Sequence, residues 1–171
     1  MTPDHANLNG SSSSKKWYDG YYSVTDYTEL YASGELTPTA VAKAILPLIR
    51  RDTSPPGEHS VAWFDSRVDI ILAAAEASTL RWKEKRPLGP LDGVPSAVKD
   101  DYDVEGYKTT LGSANDYTTK TLPGQALTGW CVKKLEDAGA INMGKLSMHE
   151  FGLGLSFILL LYLQDNFSFV N

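Results

Sequence analysis

The residues best suited to chemistry close the stretch Gly89-Pro90-Leu91-Asp92-Gly93-Val94-Pro95-Ser96-Ala97-Val98-Lys99-Asp100. Two glycines and two prolines make a rigid turn, and a short run alternating apolar and small polar residues leads from it to a lysine followed by acids. A lysine at the end of a half-buried strand is a candidate general base, because burial disfavours its ammonium form and can strip the proton. The acids beside it work against that. Strand alternation puts Asp100 on the opposite face and Asp101 on the same face as Lys99. Taken alone, Lys99 reads as a solvated lysine at a strand end.

Other candidate motifs are weaker. Gly139-Ala140-Ile141-Asn142-Met143-Gly144-Lys145 has the glycine, four-residue gap, glycine and lysine of a phosphate-binding loop. Leu146 stands where a magnesium-binding Ser or Thr belongs, and the gap itself reads as a strand, so nucleotide binding is set aside. His5, His59 and His149 are scattered, with no second histidine or cysteine at ligand spacing, which argues against a metal site. Asp92 and Glu150 read as polar loop residues rather than an acid/base pair. Met148 and Phe151 read as packing residues, and Cys131 as a small buried hydrophobe.

Composition bounds the rest. The 171 residues suffice for one domain with a core, and 42% hydrophobic and 22% charged residues are ordinary for a globular chain. The net charge of −5, with no basic face, argues against nucleic-acid binding. The cluster Arg81-Trp82-Lys83-Glu84-Lys85-Arg86 suits the C-terminal end of a helix, where cations meet the negative end of the macrodipole. A single cysteine excludes an internal disulfide. Met1–Lys16 is polar, has no apolar signal-peptide core, and reads as part of a disordered tail over residues 1–24. No segment reaches the roughly 20 apolar residues of a spanning helix. A cytoplasmic chain is expected.

The elements that must position Lys99 can be read in order. Thr25–Tyr31 suggests a short helix. Thr37-Pro38 supplies an N-cap and a first-turn proline for a helix running to about Arg50, with Val41, Ile45 and Leu48 inward and Pro47 a kink or early stop. Pro55-Pro56-Gly57 is a loop. Asp65 is placed as the cap of a long helix to about Lys85, its face formed by Val68, Ile71, Leu72, Ala75 and Trp82. Pro87–Pro95 is a loop, Ser96–Val104 a strand, Leu122–Ala126 the lead into a helix ending at Ala138, Gly139 its cap and Ala140–Met143 a strand. This order points to a layered α/β fold.

Together with Thr109-Thr110-Leu111-Gly112-Ser113 and Gly144-Lys145-Leu146-Ser147-Met148-His149-Glu150-Phe151, these motifs resemble the amidase signature family, closely from Pro87 to Gly154. The resemblance implies a mixed central sheet with helices on both faces, present here only in its N-terminal part over residues 25–154. It implies cleavage of carboxamide C–N bonds through a nucleophilic serine, a bridging serine in a cis peptide and a lysine. Lys99 matches that catalytic lysine. No metal or organic cofactor is implied, and the partner is a small-molecule amide. The same family contains subunits of the glutaminyl-tRNA amidotransferase type.

Residues 155–171 depart from the pattern. The family continues into a Gly/Ser-rich segment bearing both serines and the oxyanion donors. Here Leu155–Asn171 is apolar, and Ser156 and Ser168 lack glycine neighbours. The expectation is a chain truncated before the serines and inactive alone, with a divergent apolar tail and sheet edges exposed to self-association. The alternative is a non-catalytic binding module derived from an amidase.

Overall fold

The computed structural model describes residues 21–125 and 127–154. The expected N-terminal tail, up to residue 20, and the apolar tail from residue 155 lie outside the described residues.

Helix α1, Val24–Ser33, is opened by a reciprocal capping box between Ser23 and Asp26. Thr37 caps α2, Pro38–Ile49, by accepting from the Ala40 N–H, with Pro38 at the first helical position as expected. Pro47 falls in the last turn, where few carbonyls remain to lose a donor, and the helix stops two residues later. The buried face is Val41, Ala42, Leu46 and Ile49, so the inward stripe is rotated from the expected one. Leu48 is exposed, and Ile45 packs only at the core margin.

Strand β1, Trp63–Asp65, precedes α3, Val68–Lys83. Asp65 is therefore a strand residue, and Arg67 is the helix cap. The expected face of α3 is correct: Ile71 and Ala75 are buried, and Val68 and Leu72 flank them. Strand β2 covers Pro95–Lys99 and is shorter than expected, because Asp100 turns the chain into a loop. Helix α4, Trp130–Asp137, carries Cys131 on its exposed side, contrary to its reading as a buried hydrophobe. Strand β3, Ile141–Leu146, completes a sheet ordered β1-β3-β2, with β3 parallel to β2 and antiparallel to β1.

Two cores sandwich this sheet. Ile141 and Met143 pack with α2 and α3 through Ala42, Leu46, Ile49, Ile71 and Ala75. Val98 packs on the other side with Val104, Tyr107 and Val132 of α4. Asp92 anchors the loop that enters β2. Its fully buried carboxylate accepts from Ser78 Oγ at 2.7 Å, from Arg81 through two nitrogens at 2.6 and 2.8 Å, and from the Leu88 N–H at 2.9 Å. Asp92 is thus a structural hub of the loop. Burial pushes its carboxyl up, but the bonds from Arg81, Ser78 and Leu88 outweigh burial and hold it below the ordinary aspartate value.

Candidate active site

The parallel strands β2 and β3 end side by side, with Lys99 paired to Leu146. Beyond their carboxyl ends lies a groove of about 490 Å3 lined by Val61, Ala62, Lys99, Ser147, Met148, His149 and Gly152. Open α/β sheets bind ligands at this end of their strands. Two contacts shape the groove. Ser147 N–H donates to Ala62 O at 2.9 Å, and Phe151 N–H donates to Leu111 O at 2.8 Å. The second joins the Met148–Phe151 segment to the Thr109–Ser113 loop, which lie far apart in sequence. Gly112 permits that approach: its φ is 74°, and a side chain there would run into the backbone of Met148 and His149. Phe151 sits half exposed, edge-on to Tyr117, rather than in a core.

Lys99 reaches the groove with its side chain 52% exposed. Its Nζ lies 3.2 Å from Asp101 Oδ2, and Asp101 shares its face as alternation requires. The described residues therefore supply an ion pair at Lys99 and leave it half exposed. Among the described residues, no serine hydroxyl hydrogen-bonds to Lys99 Nζ. Ser113 Oγ instead donates to Thr110 O at 2.9 Å, closing its own turn.

The deeper charge is Lys145, the lysine of the glycine-gap-glycine motif. It is fully buried and lies 3.1 Å from Asp100 Oδ1, itself 1% exposed. Lys145 Nζ also donates to Tyr102 O at 2.7 Å, Lys108 O at 3.1 Å and Thr109 Oγ1 at 3.1 Å. Asp100 accepts from Thr110 N–H at 3.2 Å, from the Thr110 hydroxyl and from Gly112 N–H at 3.4 Å. Nearby, Asp103 accepts from the hydroxyls of Thr109 and Thr119; burial raises its carboxyl, but these bonds and the Lys145 charge bring it below the ordinary value. Four buried acceptors surround Lys145 Nζ, so its three N–H bonds are all in use and none is left for a phosphate. The sequence signal for it is a lysine between Gly144 and Leu146 in a largely apolar strand.

A larger groove of about 540 Å3 runs between α3 and the Val104–Tyr107 and Gly139–Asn142 segments, away from Lys99. Among the described residues no cluster of His, Cys, Asp and Glu gathers to hold a metal, and no helix is long and apolar enough to cross a membrane.

Comparison with known proteins bears on the same region. A family model described as Amidase matches residues 58–157. The fatty acid amide hydrolase of Medicago truncatula is 34% identical over 135 residues, covering 78% of this chain and 21% of that protein. A mitochondrial glutamyl-tRNA(Gln) amidotransferase subunit of Rattus norvegicus is 36% identical over 121 residues, covering 71% of this chain and 21% of its own length. Among solved structures, the native peptide amidase of Stenotrophomonas maltophilia superposes with a TM-score of 0.65 at 26% identity, over 77% of this chain and 26% of that one. The chain thus spans about a fifth of the length of the curated relatives it matches. The matched stretch contains Lys99, the groove and the buried pair beneath it, and the partial sheet has the mixed topology and flanking helices expected of that fold; the chain belongs to the amidase family.

Proposed function

We propose that this chain carries the lysine-bearing part of a hydrolase of carboxamide C–N bonds, with Lys99 as the catalytic lysine. In a complete enzyme, Lys99 would take a proton through a bridging serine from a nucleophilic serine. The serine oxygen would bond to the amide carbon, the C–N bond would break, and the nitrogen would leave protonated as ammonia or an amine. Water would then release the acid from the acyl-enzyme. The observation that carries this reading is the place of Lys99: within the family match, at the carboxyl end of a parallel strand, facing an open groove.

The 171-residue chain is inactive alone in this reading. Its sequence lacks a Gly/Ser-rich segment bearing the two serines, and a base without nucleophile or oxyanion donors has no route to acyl transfer. The isolated chain should therefore release no ammonia from primary amides and no fatty acid from fatty acyl amides. The direct test is a chimera in which residues 58–154 replace the matching stretch of the Medicago truncatula relative. Hydrolysis by the chimera, reduced at least about a hundredfold in kcat/KM by Lys99→Ala with the fold intact, supports the role. A folded, active chimera indifferent to Lys99→Ala refutes it.

The free sides of the sheet support a second property of the isolated chain. Among the described residues β1 and β2 form its two edges. Unpaired edges favour association, and sedimentation should find species larger than the monomer. A monomer with a sharp cooperative melt would contradict this.

A further inference from the structure

We propose that the buried Lys145–Asp100 ion pair is the positioning element of Lys99, holding its strand end and fixing the face on which it emerges. The inference rests on the reading of Lys99 as the catalytic lysine, and Lys145 and Asp100 act through it without touching the groove.

Strand register sets the side from which Lys145 acts. Ser96 pairs with Asn142 and Val98 with Lys145, so β3 carries one more residue than β2 over this span. The extra residue is a bulge at Gly144, where φ is 135° and a side chain would strike the backbone of Asp65. Strict alternation would send Lys145 to the face of Ile141 and Met143, among α2 and α3. The bulge turns it to the face of Val98 instead, where it meets Asp100.

Asp100 directly follows Lys99. Its N–H donates to Leu146 O at 3.1 Å, and its carbonyl accepts from Leu111 N–H at 3.2 Å. Its carboxylate is held between Lys145 and the Thr110–Gly112 amides. Lys99 is the last residue of β2 and points away from the face of Val98; with Asp100 fixed on the inner side, the turn that begins there leaves Lys99 and Asp101 together on the groove side. Lys145 extends the hold by tying down the carbonyls of Tyr102 and Lys108, the two ends of the loop that follows. Charge-assisted bonds between buried groups are strong and directional, and removing one partner strands the other.

The test uses the whole 171-residue chain. The rate at which an N-hydroxysuccinimide acetate acylates Lys99 is read by peptide mass spectrometry, with the exposed Lys43 on α2 as internal reference. With Lys145→Met, Lys99 should separate from Asp101 and react at least about threefold faster, while Lys43 is unchanged. Asp100→Asn keeps the shape and one acceptor, and should give the same change if Lys145→Met does not fold. An unchanged Lys99 rate in either folded variant overturns the proposal. Hydrogen exchange on the unmutated chain adds a measurement free of folding risk: the Asp100 and Leu111 amides should open together, and only with global unfolding. Independent, faster exchange of either amide also overturns it. These measurements read where Lys99 lies, whereas turnover of the chimera reads what Lys99 does, so the two readings fail separately.

Discussion

Two lysines lie beside one end of the same small sheet, and their surroundings are opposite. Lys99 ends β2 at the groove, half exposed, with one carboxylate beside it. Lys145 lies on the adjacent strand, fully buried, and is held by a carboxylate, two carbonyls and a hydroxyl. Residue type does not separate them, since each follows small or apolar residues and each is near an acid. The geometry separates them. A lysine whose three N–H bonds are all taken up by buried acceptors is structural, whereas a lysine facing a groove with one partner retains a donor and, once deprotonated, a lone pair for a ligand.

Stability measurements can break or sharpen that contrast. The largest effect is expected from Lys145→Met, which strands the Asp100 carboxylate and should cost about 3–5 kcal/mol in urea unfolding. Lys99→Met breaks a half-exposed pair and should cost less than about 1 kcal/mol. Equal losses would erase the distinction between anchor and site.

Asp92 tests whether buried charge anchors the fold at the other end of β2 as well. Asp92→Asn keeps the shape but weakens the bonds from Arg81, and should cost about 2–3 kcal/mol. The pH dependence has a definite sign. The carboxyl is held below its ordinary value of 3.8 in the folded chain, so its stabilisation is complete above that value and is lost as pH falls through the lower native one. The melting temperature of the unmutated chain should therefore fall more steeply than that of Asp92→Asn on acidification from about pH 5 to about pH 2. Parallel curves would mean that Asp92 contributes nothing to acid sensitivity.

Helix α2 repeats the contrast without charge. Leu46 is 6% exposed and Leu48 40%. Leu46→Ala should cost about 2–4 kcal/mol by leaving a cavity against Ile71 and Ile141, and Leu48→Ala no more than about 0.5 kcal/mol. The smallest effect among the buried or capping positions is at the helix start, where Thr37→Ala should cost about 1 kcal/mol through loss of the bond to Ala40 N–H. Each value is read from the urea midpoint at constant slope.

Much was legible in the chain itself. Thr37-Pro38 announced a helix start because a cap and a proline satisfy the same orphan amides wherever the helix goes. The face of α3 was readable because its apolar positions repeat at helical spacing over several turns. Alternation put Asp100 and Asp101 on opposite sides, as the structure has them, and the order of motifs identified the family. All of these depend on residues close together in sequence.

What escaped depended on contacts between distant segments. Leu48 fits a helical stripe as well as Leu46 does, and only the neighbouring α3 and β3 decide which side is inward. Asp65 is a good cap by type, but pairing with Lys145 drew it into β1. Asp92 read as a polar loop residue because Ser78 and Arg81, which bury it, belong to the preceding helix. Lys145 was hidden by a bulge: one extra residue in β3 reverses which face its side chain takes, and nothing in the local pattern marks that reversal. The sequence by itself determined the four helices, the two parallel strands and the family, because these follow from local propensity and order. Only the tertiary structure decided which lysine is anchored and which is open to the groove, because burial and register are properties of paired segments.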